Sequence, residues 1–144
     1  MDAWELLVRE CVRDTIARYN NAGDFGRLDL LAQCFVVDGV LAIKGREPFV
    51  GRDAIVAGLS TTLDERRNAH SGVGFHVHHH VASTCFLSVA PDRIEAASYF
   101  GVHTPIGLDH WGRYRDELVP YGERWLFHQR RVATDGFSPG SLFA

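Results

Sequence analysis

Phe75-His-Val-His-His-His-Val-Ala-Ser-Thr-Cys-Phe-Leu87 is the stretch on which the fold turns. Side chains alternate across a strand with period two. Read that way, one face carries Phe75, Val77, His79, Val81, Ser83, Cys85 and Leu87, and the other His76, His78, His80, Ala82, Thr84 and Phe86. The first face is largely apolar, with His79 as its one ionisable group. An imidazole there is partly desolvated, which favours the neutral form able to act as a base. The simpler reading of the same position is a core histidine satisfied by a backbone carbonyl. The other face has three histidines at i, i+2 and i+4, which invites a metal. No CxxC or HxxxH elsewhere supplies further ligands, so no metal is expected, and that face reads as solvated or as a subunit contact.

On the C-terminal side of this stretch strand signals continue. Strands are expected at about 74–89, 93–103, 108–119 and 124–133, with hairpin turns at Pro91-Asp92 and Tyr121-Gly122. On its N-terminal side the period changes. Asp2-Ala-Trp-Glu5 reads as a capping box. Trp4, Leu7, Val8, Cys11, Val12, Ile16 and Tyr19 then fall on one helical face, predicting a helix over 3–20 that stops at Asn21-Ala-Gly23. A short second helix carries Leu28, Leu31, Ala32 and Phe35, followed by a turn at Asp38-Gly39 and a short strand over 40–43. After a loop over 45–51, a third helix opens at Arg52-Asp53 with Ile55, Val56, Leu59 and Leu63 buried, and ends by Asn68. Three helices followed by a long antiparallel meander is an α+β pattern, and 144 residues suit one domain spanning 1–144.

The bulk composition excludes several classes. The chain is 46% hydrophobic and 23% charged, with a formal net charge of −3, which is the globular norm. The paired arginines Arg66-Arg67 and Arg130-Arg131 are too short to make a nucleic-acid patch. Cys11, Cys34 and Cys85 are odd in number, without metal spacing, and each has apolar neighbours; buried free thiols in a reducing compartment are expected. The N-terminal residues show neither signal nor transit character, and no apolar run reaches membrane-spanning length. A cytoplasmic location follows as the expectation.

Taken alone, Asp24 reads as an N-cap of the second helix and Tyr19 as core. A resemblance changes their weight. Ile16-Ala-Arg-Tyr19-Asn-Asn-Ala-Gly-Asp24 with Leu28, Leu31 and Phe35, then Phe49-Val-Gly51-Arg-Asp-Ala-Ile55, His79-His-Val81, Gly112-Arg-Tyr114-Arg-Asp-Glu117 and Trp125-Leu-Phe-His-Gln-Arg130 resemble, in order, the SnoaL-like branch of the NTF2-like superfamily. That resemblance implies a cone of three helices on a strongly curved, mostly antiparallel sheet enclosing a pocket. It is nearest in motif to the group of scytalone dehydratase, bile acid 7α-dehydratase and hexachlorocyclohexane dehydrochlorinase. By that likeness Asp24 holds His79 as a base, Tyr19 matches a catalytic tyrosine, and Tyr114, Asp116, Arg130, Phe100 and Val102 match pocket positions. A second catalytic histidine has only His110 and His103 as candidates. The tail after the last strand is short for a closing lid.

These residue types suit elimination. Proton removal beside a leaving group needs a base with a pKa near the operating pH. A carboxylate on the far ring nitrogen chooses the tautomer and stabilises the imidazolium. The expectation is a cofactor-independent, dehydratase-like lyase acting on a small apolar or polycyclic molecule, with Arg130 holding a polar end of the substrate. Isomerisation or cyclisation by the same dyad is the alternative. Another is a non-catalytic ligand-binding module or a protein like the small subunit of ring-hydroxylating dioxygenases. Relatives assemble through their sheets, so a homodimer or homotrimer is expected.

Overall fold

A computed structural model describes residues 1–70 and 74–144. The order of elements is α1 (Ala3–Asp24), α2 (Leu28–Ala32), β1 (Phe35–Ile43), β2 (Phe49–Val50), α3 (Arg52–Ala69), β3 (His78–Val89), β4 (Ile94–Thr104), β5 (Gly107–Tyr121) and β6 (Arg124–Phe137). The six strands form one curved sheet in the order β2-β1-β6-β5-β4-β3. All neighbours are antiparallel except β1 and β6, which run parallel. Among the described residues, no helix is long and apolar enough to cross a membrane.

The helix start is set as the capping box requires: the Glu5 N–H donates to the Asp2 carboxylate at 2.8 Å. Trp4 and Leu7 nevertheless stay exposed; the buried stripe is Val8, Val12, Thr15, Ile16, Tyr19 and Asn20. The helix also runs one turn beyond the predicted stop, through the poor helix formers Asn21 and Gly23. Tertiary contacts carry it. Ala22 is buried, and Gly23 admits Leu31 so closely that a Cβ there would sit 3.2 Å from its Cδ1. Asp24 is therefore the last residue of α1 and not the cap of α2. The residue at the α2 cap is Arg27, which makes no side-chain capping bond.

Phe35 opens β1 and does not end a helix. Between Phe35 and Val40 the register against β6 shifts, so the turn signal at Asp38-Gly39 marks a bulge inside a nine-residue strand. The core fills the space between α1 and the sheet. Phe35, Leu41, Ile55, Ile94, Leu118 and Phe127 are all inaccessible to solvent there. The Thr15 hydroxyl donates to the Trp125 carbonyl at 2.5 Å, and the Arg52 guanidinium donates twice to the Phe35 carbonyl, at 2.9 and 2.7 Å. These bonds pin α1 to β6 and α3 to β1. On α3 only Ile55 is fully buried; Leu59 and Leu63 face cavities.

Alternation along β3 breaks where a strand read by period two would continue. Ser83 has φ +54°, and the register against β4 shifts between Ala82 and Cys85 and again between Phe86 and Ser88. Before the bulge His79 and Val81 face inward, as expected. After it Thr84, Phe86 and Val89 do, and Cys85 and Leu87 are exposed. Cys85 is thus not a buried thiol. Phe86 packs under α1, with the Arg9 and Arg13 guanidinium groups 4.7 and 5.0 Å from its ring centre, rather than joining the histidines on the outer face.

The backbones of β5 and β6 approach closely at Gly112, beside the register shift between Trp111 and Gly112. A Cβ there would lie 2.1 Å from the Ala133 carbonyl oxygen and 2.7 Å from the Phe100 ring. Gly112→Ala is expected to lower stability by about 3 kcal/mol, at the upper end of overpacking costs, measured by urea unfolding, with Phe100 displaced in the variant.

Candidate active site

Asp24 leaves the last turn of α1 directed at the first residues of β3. Its Oδ2 accepts the backbone N–H of His79 at 2.9 Å, and its Oδ1 lies 2.5 Å from His79 Nδ1. One carboxylate so grips the strand and the ring together. A carboxylate can only accept, so Nδ1 carries a proton, and in the neutral ring Nε2 is the nitrogen with the lone pair. The two side chains are 12% and 24% exposed, so the pair is shielded without being sealed.

His79 lines a cavity of about 420 Å³ whose wall also includes Tyr19, Phe100, His110, Tyr114 and Phe143. A smaller space of about 170 Å³ adjoins it on the helix side, bounded by Asp24, Tyr19, Leu63, Phe75 and Phe143. Phe100 stands between the two imidazoles, 6.3 Å from each ring centre, and is tilted against Tyr114 at 4.7 Å. The Tyr114 hydroxyl donates to Asn20 Oδ1 at 3.1 Å, and Asn20 Nδ2 is buried without a partner among the described residues. Burial pushes both Tyr19 and Tyr114 well above the ordinary tyrosine value, against the pull of Arg130. Both phenols therefore remain proton donors.

Beneath the tyrosines lies a fully buried ion pair. Arg130 Nε and Nη2 donate to the two Asp116 oxygens at 2.8 and 3.0 Å, a bidentate arrangement. The guanidinium carbon sits 3.6 Å from the Tyr114 ring centre, 4.4 Å from Tyr19 and 4.5 Å from Phe127. Burial opposes the Arg130 charge, and Asp116 outweighs it. For Asp116 burial raises the carboxyl while Arg130 pulls it down. Arg130, paired with Asp116 through Nε and Nη2, fully buried and enclosed by aromatic rings, is not placed to hold a substrate. Its Nη1 has no partner among the described residues, and the ion pair supports the tyrosines from below. Val102 is likewise fully buried, packed with Val77, Phe100 and Tyr114, rather than lining the cavity.

Asp109 is the residue that alternation conceals. It is fully buried and lies 2.8 Å from His110 Nδ1. Neighbours on a regular strand face apart, but β5 shifts register against β4 between Val102 and His103 and against β6 between Trp111 and Gly112. His110, expected at the pocket, does line it. His103 points outward, edge-on to His80 at 4.8 Å. The short tail also reaches the cavity, since the Phe143 ring packs 4.9 Å from His110 and 5.9 Å from Phe75. The visible signal for this second pair was the dipeptide Asp109-His110 itself.

The comparisons with known proteins agree with this architecture. A SnoaL-like domain model matches residues 4–131. The chain belongs to the SnoaL-like family. Among solved structures, a Catenulispora acidiphila protein in complex with S-DNPA is 28% identical, with 86% of this chain and 90% of that one covered and a TM-score of 0.70. An NTF2-like protein with a cystatin-like fold from Novosphingobium aromaticivorans is 24% identical, over 96% of this chain and 90% of that one, at a TM-score of 0.75. A candidate scytalone dehydratase from the same organism is 19% identical, over 93% and 88%, also at 0.75. The last two likenesses speak to fold alone. No curated protein matches the chain. Among the described residues, no group of three or more His, Cys, Asp or Glu is arranged to hold a metal ion.

Two outcomes follow for this SnoaL-like site. Arg130→Met leaves Asp116 as a buried unpaired charge and is expected to cost about 3–5 kcal/mol in urea unfolding. Burial lowers His110 below the ordinary 6.5 against the pull of Asp109. The unfolded chain then binds the proton more readily, so stability rises with pH. The contribution is complete above the unfolded value and lost as pH falls through the lower folded one. The thermal midpoint should drop between pH 7 and pH 5, and drop less in His110→Gln.

Proposed function

We propose that this chain is a cofactor-independent lyase of the dehydratase type, acting on a small, mostly apolar molecule. The observation that carries the reading is the double grip of Asp24 on His79. It leaves one ring nitrogen as a lone pair at the wall of an aromatic cavity. In the proposed step His79 Nε2 takes a proton from substrate carbon, and the C–H electron pair becomes the new C=C bond. The adjacent C–O bond breaks, and its oxygen leaves as water with a proton supplied from the tyrosine side of the cavity. Asp24 balances the imidazolium, which returns its proton to solvent after release, and the phenolate of the donor takes a proton back from solvent, so that the net change is loss of one water from the substrate.

Tyr114 and Tyr19 are the donors that fit, because burial keeps both protonated. Asn20, which accepts from the Tyr114 hydroxyl, fixes the direction of that proton. Phe100 and Phe143 supply flat apolar walls, and the ion pair of Arg130 and Asp116 holds the tyrosines in place. The same base and donors support isomerisation through an enol. The product alone separates the two readings.

A panel of small cyclic β-hydroxyketones, followed for loss of water or for double-bond migration, tests the proposal. His79→Ala is expected to lower kcat by about 10²–10⁴-fold, and Asp24→Asn by a similar factor through the wrong tautomer. Tyr114→Phe should lower kcat more than it changes KM. Full activity of His79→Ala on a substrate that the wild type turns over would end the reading. Binding without any turnover across the panel would favour a ligand-binding module.

A further inference from the structure

Among the described residues around the cavity, the Asp109 side chain carries the most hydrogen bonds, and two of its four partners lie in the last seven residues. Its Oδ1 accepts from Ser141 Oγ at 2.6 Å and lies 2.8 Å from His110 Nδ1. Its Oδ2 accepts from the Leu142 N–H at 2.7 Å and from Thr104 Oγ1 at 3.1 Å. Its backbone carbonyl accepts from the Ser138 N–H at 2.8 Å. A carboxylate offers about four acceptor sites, and here they are filled.

The tail is held mainly by this polar hub. Ser141 Oγ also accepts from the N–H groups of Phe143 and Ala144, at 3.1 and 3.2 Å, which closes the final turn on itself. His70 Nε2 meets the Leu142 carbonyl at 3.2 Å. The turn sets Phe143 over His110, facing Phe75, with the Arg66 guanidinium 5.9 Å from its ring centre. The Phe143 ring borders both cavities.

We propose that Asp109 is a positioning residue that couples the C-terminal turn to the His110 imidazole, making residues 138–144 a wall of the active site whose Phe143 face selects planar substrates. The carboxylate is shared, so release of the turn removes two of its donors and leaves His110 as its main charged or polar partner. The ring then shifts with the turn. The substrate part of this inference rests on the cavity being the catalytic site; the coupling itself does not.

The full-length protein labelled with ¹⁵N-histidine tests the coupling without any substrate. His110 is expected as the Nδ1–H tautomer in the wild type, with a protected Leu142 amide. Ser141→Ala, which leaves His110 untouched, should move the His110 ring resonances and speed Leu142 amide exchange about tenfold, the weight of one hydrogen bond. Asp109→Asn should do both more strongly; should it fail to fold, Ser141→Ala still decides. His110 resonances unmoved in folded Ser141→Ala would overturn the coupling. For selection, the probes are 2-naphthol and its saturated, non-planar counterpart 2-decalol. Phe143→Ala should weaken 2-naphthol about tenfold, the order of a lost aromatic contact, and 2-decalol much less. Equal weakening of both, or no wild-type binding of 2-naphthol, would overturn the selection. Coupled resonances together with a fully active His79→Ala would leave the latch standing and remove the lyase reading alone.

Discussion

A single carboxylate at the end of the first helix holds the opening of an edge strand and the ring mounted on it. The bond from Asp24 to the His79 backbone places β3 against α1, and the bond to Nδ1 fixes the ring in that placement. Because both use the same carboxylate, ring and strand cannot drift independently. The extra turn of α1 exists to deliver this group, and Gly23 lets Leu31 close behind it. The cavity wall, the tautomer and the helix length are therefore one arrangement rather than three.

The floor of the cavity obeys a different constraint. Two phenols sit in an apolar interior above a buried guanidinium, and such a cation is tolerated only with its charge balanced and its rings aligned. Asp116 supplies the balance across adjacent strands β5 and β6, where Asp116 and Arg130 are direct partners in register. The pair is weak evidence for stability, since a hydrophobic replacement of both often does as well. Its evident use is orientation: it fixes where two tyrosines stand relative to one imidazole.

Much of this was legible in the sequence, for identifiable reasons. The capping box at Asp2 and the change of period from helix to strand are local signals, and they placed three helices ahead of a meander. The inward face of His79 followed from simple alternation. The grip of Asp24 was visible only through resemblance, since by spacing alone that residue reads as a cap. What the sequence hid lies where regular geometry fails. Phe86 and Cys85 exchange faces after Ser83, β1 runs on through the Asp38-Gly39 turn signal, and Asp109 shares a neighbourhood with His110 because β5 is irregular on both sides. Arg130 was misjudged for another reason. A lone arginine near a pocket looks free until its partner one strand away is known.

The left-handed backbone at Ser83 divides β3 into two lengths that answer to different neighbours. Ahead of it, the inward residues His79 and Val81 serve the cavity; beyond it, Thr84, Phe86 and Val89 serve the helix. The strand thereby has two addresses, and the joint between them absorbs a half-step of the pleat. A chain with the extra residue at this joint removed would alternate simply and keep both His79 and Phe86 facing inward, because Ala82 to Cys85 spans three steps of β3 against two of β4. One residue fewer elsewhere between them would turn Phe86 out to water. Spacing between the site and the far end of the strand is thus a matter of parity, and sequence comparisons across this position compare like faces only when they count the bulge.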